Sequence, residues 1–260
     1  MPLLRRLIRI PLLLLHVAVG VVVIGLAIGL DRLKGMDPGR GMARGAQAFW
    51  CRSICAILGV RLRATGQRLL SPPVLLVANH ISWLDILVVA AYWDVCFLSK
   101  SEVRRWPGIG WLATGFGTVY IERGQRGAST EAIETMKRRL RQCRRVLFFP
   151  EGTTSHGQDL LPFRPRLFQA AIEDGIPVQP VTIRFIGRDG QPSARAAFVG
   201  GDRLFRHVIE LAGNPGIDAI VTVGEPEDSA ERSRKELALL MREQMAELLN
   251  PSRPADRQQA

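Results

Sequence analysis

From Ile10 to Leu30 the chain reads IPLLLLHVAVGVVVIGLAIGL, an apolar run without Asp, Glu, Lys or Arg. Coiled at about 1.5 Å per residue it reaches roughly 30 Å, the thickness of a bilayer core, which predicts a membrane segment. A cleaved signal peptide also has a positive leader like Arg5, Arg6 and Arg9, but its apolar core is usually only about 7 to 15 residues. Arg32, Lys34, Arg40 and Arg44 on the far side balance those arginines, so charge leaves the orientation open. After a Gly- and Pro-bearing link at residues 35–41, AQAFWCRSICAILGVRL places apolar and aromatic side chains at helical intervals with isolated arginines. It reads as an amphipathic helix at a membrane surface or as a helix packed on the main domain. A hairpin of residues 1–63 whose second arm rests on that domain satisfies both readings.

From Pro73 onward, short apolar runs alternate with helical patterns. VLLVA from 74, VCFLS from 95, VYIE from 119, VLFF from 146, VQPVTIRF from 178 and AIVTV from 219 have strand character. Between them fall a helix from about residue 82, short helices near 101–115, a basic helix near 128–143, and a helix near 165–173. A long helix at 229–249 ends before Asn250 and Pro251. This alternation predicts an α/β domain on a largely parallel sheet flanked by helices, preceded by the membrane helix or hairpin. Residues 1–63 are thus expected to bind the membrane, 64–250 to form the main domain, and 251–260 to be a disordered tail.

Composition narrows the partners. The chain has 260 residues, 47% hydrophobic, with 35 Lys and Arg against 24 Asp and Glu. A core of domain size is affordable, and the excess positive charge favours anionic lipids, phosphates, an acidic carrier protein or nucleic acid. The run KRRLRQCRR at 137–145 concentrates six of those charges and reads as a solvated helix face, a contact for anionic lipid, or a dock for an acidic carrier. No nucleic-acid motif accompanies it, so nucleic acid is not an expected partner. Cys51, Cys55, Cys96 and Cys143 lack metal-ligand spacing and read as reduced, buried thiols, in keeping with a cytosol-facing protein.

Ligands of an α/β sheet gather beyond the carboxyl ends of its strands, and three polar clusters fall there: NHISWLD, the end of GTVYIERG, and PEGTTS. In the first, a carboxylate at Asp85 five positions after His80 is placed to accept a hydrogen bond from one ring nitrogen. The other nitrogen is then free to act as general base. No Ser or Cys nucleophile is needed when the substrate brings its own hydroxyl, so the pattern points to direct acyl transfer.

Four blocks in order between residues 77 and 183 resemble the lysophosphatidic acid acyltransferase family: NHISWLD, GTVYIER, FPEGTTS and IPVQPVTI. The resemblance implies the glycerolipid acyltransferase fold and transfer of a fatty acyl chain from acyl carrier protein or coenzyme A to a lysolipid hydroxyl. It implies His80 as base and Asp85 as its orienting partner. Gly117 and Arg123 of the second block, with Glu151 and Gly152 of the third, would bind the acceptor or support the site, and Pro180 would shape the strand and acyl pocket. An Arg fork suits a phosphate, and a glycine lets backbone approach closely. Neither a metal nor a tightly bound organic cofactor is implied.

One departure bears on the acceptor. Phosphatidate-forming relatives typically read FPEGTRS, whereas Thr154 stands at the arginine position here. Acceptance of 1-acyl-sn-glycerol-3-phosphate is the leading expectation. Acylation of lyso-ornithine lipid, which carries no phosphate, is the alternative, and Arg166 is a candidate replacement for the missing charge. A membrane-tethered binding protein without catalysis is the rival from another class. The expected location is the inner membrane of the cell, with membrane phospholipids as neighbours and the catalytic domain facing the cytoplasm, where thioester donors are made.

Overall fold

The computed structural model describes residues 2–37, 39–122, 127–142 and 144–250. In chain order the elements are α1 (Pro2–Leu33), α2 (Met42–Ile57), β1 (Val60–Gly66), β2 (Val74–Ala78), α3 (Leu84–Tyr92), β3 (Cys96–Lys100), α4 (Ile109–Gly115), β4 (Val119–Ile121), α5 (Ala128–Arg141), β5 (Arg145–Phe148), α6 (Gln169–Ile172), β6 (Val178–Gly187), α7 (Leu204–Ala212), β7 (Ile217–Val223) and α8 (Arg234–Leu249). The strands form one sheet in the order β1-β7-β6-β2-β5-β3-β4.

Burial dictates the three layers. β2 is buried along its whole length, and its residues alternate between two cores. Leu76 and Ala78, with Leu147 and Val181, face α1, α2, α3 and α7. Leu75 and Val77, with Val146, Phe148 and Val178, face α5, α6 and α8. The sheet is parallel from β4 through β6, as the alternation predicts, but β7 runs antiparallel to β6 and β1 runs parallel to β7. It is therefore a mixed sheet with a reversed edge.

Three expectations are corrected here. The helical pattern carried through Leu62 stops at Ile57, and β1 straddles the expected boundary between residues 63 and 64. β1 exists because each of its residues pairs with β7, more than 150 positions away. α7 carried no expectation of its own. The long terminal helix begins at Arg234 rather than 229, because Ser233 and Glu236 form a reciprocal cap. The tail at 251–260 lies outside the described residues.

α1 does not project from the domain. A stripe at Leu13, Gly20, Ile24, Ile28 and Asp31 faces inward, while Leu4, Leu7, Leu14, Leu15, Val22, Leu26 and Leu33 are exposed. Gly20 is required at the crossing with α2, since a Cβ there would lie 1.9 Å from Trp50 Nε1. That indole N–H donates to the His16 carbonyl at 3.1 Å. At the far end, both oxygens of Asp31 cap α2, accepting from the Met42 and Ala43 amides at 3.0 and 2.9 Å. α2 itself rests on α3, which realises the hairpin reading.

Three of the six cations in the basic run are tied to acids rather than only to solvent. Lys137 is buried and bonded to Glu134 at 2.9 Å and to Glu173. Arg141 bonds Asp174, and Arg144, 2% exposed, joins Asp37 at 2.7 Å and Asp94 at 2.9 Å. Apart from Glu134, one helical turn away, the acids that answer Lys137, Arg141 and Arg144 come from distant segments, so the run's own sequence could not announce them. Cys51, Cys55 and Cys96 are free and buried, and burial pushes their thiols up to about 12, about 12 and about 11. Cys143 lies outside the described residues.

Candidate active site

The site is built where β2 and β5 end side by side. Asn79 fastens the end of β2 to β6: its side-chain amide donates to the Ile183 carbonyl at 2.9 Å, and its oxygen accepts from the Ile183 amide at 2.7 Å. The chain then turns through His80, Ile81 and Ser82 before α3 begins. Asp85, in the first turn of α3 and fully buried, reaches back over this turn. Its Oδ2 accepts from His80 Nδ1 at 2.7 Å and from the Ile81 and Ser82 amides at 2.8 and 2.9 Å. The carboxylate thereby orients the imidazole and closes the loop that carries it. With the proton on Nδ1, the lone pair lies on Nε2, on a side chain 21% exposed. Phe149, just past β5, stacks on the ring at 3.9 Å with the planes 13° apart, fixing its plane.

The 150–157 loop interlocks with the histidine turn. Glu151, 3% exposed, accepts the His80 amide at 2.9 Å on Oε1 and the Leu161 amide at 3.0 Å on Oε2. The Ser155 amide donates to the His80 carbonyl at 2.8 Å. Both oxygens of Glu151 are thus spent on backbone. Burial pushes this carboxyl above the usual range, although the His80 and Leu161 amides pull the other way.

The remaining expected residues separate. Gly152 turns with φ of 72° beneath the side chain of Arg164, whose Nε would lie 2.8 Å from a Cβ at that position. Arg164 is exposed and has no carboxylate partner among the described residues. Gly117 is not at this end of the sheet. It precedes β4 by two residues and lies level with Cys96 and Leu75, so strand spacing puts it roughly 20 Å from His80. Its φ of 84°, and the 3.1 Å that would separate a Cβ from Cys96 Sγ, make it a turn glycine at the amino ends of the strands. Arg123 lies outside the described residues. Arg166 donates to Thr130 Oγ1 at 3.1 Å rather than facing Thr154. Pro180 lies within β6, opposite Val77 of β2.

Sequence reasoning passed over two parts of the site. Arg164 was one, although a cation nine residues after PEGTTS was visible. The other is a brace behind the turn: Trp83 Nε1 donates to His207 Nδ1 at 2.9 Å, and His207 Nε2 bonds the Arg195 carbonyl at 3.0 Å. His207 sits on the unforeseen α7. Among the described residues, no group of three or more His, Cys, Asp or Glu is arranged to hold a metal ion.

Comparison with known proteins agrees with this layout. The family model described as Acyltransferase matches residues 61–184, the segment that holds all four sequence blocks. A lyso-ornithine lipid O-acyltransferase of Pseudomonas aeruginosa is 40% identical over 240 residues, covering 90% of each chain. A 1-acyl-sn-glycerol-3-phosphate acyltransferase of Neisseria meningitidis is 35% identical over 169 residues, covering 64% of this chain and 66% of its own. The crystal structure of the 1-acyl-sn-glycerophosphate acyltransferase PlsC from Thermotoga maritima shares the fold, with a TM-score of 0.69 at 24% identity over 98% of this chain and 100% of that one. Taken with the fold that carries the four blocks, these likenesses mean that the chain belongs to the acyltransferase family and is an acyltransferase.

Proposed function

We propose that His80 and Asp85 catalyse transfer of a fatty acyl chain from a thioester to the hydroxyl of lyso-ornithine lipid. The hydrogen bond between His80 Nδ1 and the buried Asp85 carries the catalytic part of this reading. His80 Nε2 takes the acceptor's hydroxyl proton as that oxygen attacks the thioester carbonyl, and Asp85 stabilises the imidazolium that forms. Collapse of the tetrahedral adduct forms the ester and expels the thiolate, which leaves as a thiol with the proton from His80. The balance is complete with the two substrates, acyl carrier protein or coenzyme A being the thiol released.

Thr154 and the lyso-ornithine lipid relatives together favour an amino-acid headgroup over a phosphate. Arg164 is the cation we assign to that headgroup's carboxylate, which its planar fork fits as well as it would a phosphate. Acylation of 1-acyl-sn-glycerol-3-phosphate is the second reading, favoured by the neisserial relative and by an Arg–phosphate pairing at Arg164 or Arg123. Purified enzyme given one donor and both acceptors in parallel separates them. A kcat/KM at least tenfold higher for lyso-ornithine lipid supports the first reading, and the reverse preference supports the second. Arg164→Ala should raise KM for the preferred acceptor about tenfold while leaving kcat within threefold, the scale of a lost charged hydrogen bond at an exposed site.

α1 is long and apolar enough to cross a membrane. Its inner stripe, however, is seated on the domain from Arg9 to Asp31. A helix bound along its side would drag polar surface with it into the bilayer core. We therefore assign α1 to one leaflet of the cytoplasmic face of the inner membrane, its exposed leucines and valines among the lipid chains. Acceptor and product are lipids, and the thioester donors are made in the cytoplasm.

A further inference from the structure

At the sheet edge where β1 and β7 begin, a cleft of about 550 Å³ is lined, among the described residues, by four arginines, Arg9, Arg52, Arg61 and Arg188, and by no carboxylate. β6 runs past the end of β2 to reach it, which puts the cleft on the order of 20 Å from His80. Asp218 beside it is bonded to Arg61 at 2.6 Å and lies 3.4 Å from Arg63. Arg52 and Arg188 have no carboxylate partner among the described residues.

The cleft is shaped as well as charged. Arg9 turns inward from α1 and donates through Nη1 to the carbonyls of Asn214 at 2.7 Å, Ala212 at 3.3 Å and Leu58 at 3.4 Å. Three carbonyls on one nitrogen hold that guanidinium in place. Arg188 lies over bare backbone, its Nε 3.0 Å from where a Cβ of Gly216 would be. Arginine forks of this kind suit a tetrahedral oxyanion.

The surroundings say which oxyanion. Leu7, Ile8 and Leu12 beside Arg9 on α1 are exposed, as is Phe49, one helical turn before Arg52 on α2. The guanidinium groups thus sit at the border of an apolar surface, the depth at which a lipid headgroup lies. We propose that this cleft binds the phosphate of an anionic membrane phospholipid, apart from the catalytic site, and fixes how the enzyme sits on the bilayer. The proposal rests on α1 as the membrane-contacting helix, and a soluble short-chain lipid tests the cleft without a bilayer, so the two can fail separately.

Full-length protein in neutral detergent is titrated with dihexanoyl phosphatidylglycerol, dihexanoyl phosphatidylcholine or inorganic phosphate, with binding read from tryptophan fluorescence. Phosphatidylglycerol should bind at least tenfold more tightly than either of the others. Arg52→Gln with Arg188→Gln should lose at least tenfold of that affinity, whereas Arg52→Lys with Arg188→Lys should stay within about threefold. Equal binding of the two lipids, or unchanged affinity in the glutamine variant, would overturn the proposal. Inorganic phosphate binding as tightly as phosphatidylglycerol would make this a free-phosphate site and overturn the lipid assignment. An equal loss in the lysine and glutamine variants would point to damaged folding and overturn the role of charge.

Discussion

The two ends of the parallel strands hold the same kinds of residue, acids, cations and turning glycines, and use them oppositely. At the amino ends, charge meets charge: Arg144 closes on Asp37 and Asp94, and Lys137 on Glu134 and Glu173. The result is a strap that ties the α1–α2 link to the starts of β3 and β5, and α5 to the end of α6. At the carboxyl ends, Oδ2 of Asp85 and both oxygens of Glu151 meet backbone amides and the imidazole. Among the described residues, His80 Nε2 and the Arg164 side chain have no hydrogen-bond or ion-pair partner. Chemistry is available where the backbone, and not a cation, answers the acids. Gly117 falls on the strap side and Gly152 on the catalytic side, a distinction that residue type cannot make.

Breaking the catalytic end should cost activity far more than stability. Asp85→Asn keeps the shape but offers Nδ1 a weaker acceptor and cannot balance the imidazolium, so kcat should fall by about 10³-fold or more in steady-state acyl transfer. Glu151 acts one step back, by holding the His80 amide. Glu151→Ala should lower kcat about 10- to 100-fold with KM little changed, and a loss confined to KM would instead make it an acceptor ligand.

Breaking the strap should do the reverse, and more gently. Burial works against the Asp37 carboxylate, but the Gly39 amide and Arg144 outweigh it and hold its pKa below the usual range. A depressed pKa means that the folded state binds fewer protons, so this stability is full above the ordinary Asp range and is lost as pH falls through the folded value. Asp37→Asn should therefore lower stability at pH 7 by at most about 1 kcal/mol, since Asp37 is 41% exposed and screened by solvent. The difference from wild type, followed by thermal melting, should vanish in acid while acyl transfer stays within twofold.

The same contrast explains what could be read in advance. β2, β3, β5 and β6 were legible because buried parallel strands are continuous apolar runs bounded by turns. The His80–Asp85 hydrogen bond was legible because a histidine and a carboxylate lie five residues apart, one on a loop and the other in the first turn of the helix that follows. β1 was not: Arg61 and Arg63 alternate with Val60 and Leu62, and only pairing with β7 makes the segment a strand. Nor were the acids facing Lys137 and Arg144, which arrive from Asp37, Asp94 and Glu173 through the fold. Glu151 was expected at this end of the sheet, but its contacts were not legible, because its partners are amides, which every residue carries.

The central claim is that Nε2 of His80, aimed by Asp85, removes the acceptor's proton. The most direct measurement is single-turnover acyl transfer by purified His80→Ala, with wild-type enzyme beside it and thermal melting to confirm that both are folded. The account predicts a rate at least about 100-fold lower for the variant, the scale of lost general-base catalysis, with an unchanged melting temperature. Turnover within threefold of wild type by folded His80→Ala would contradict it.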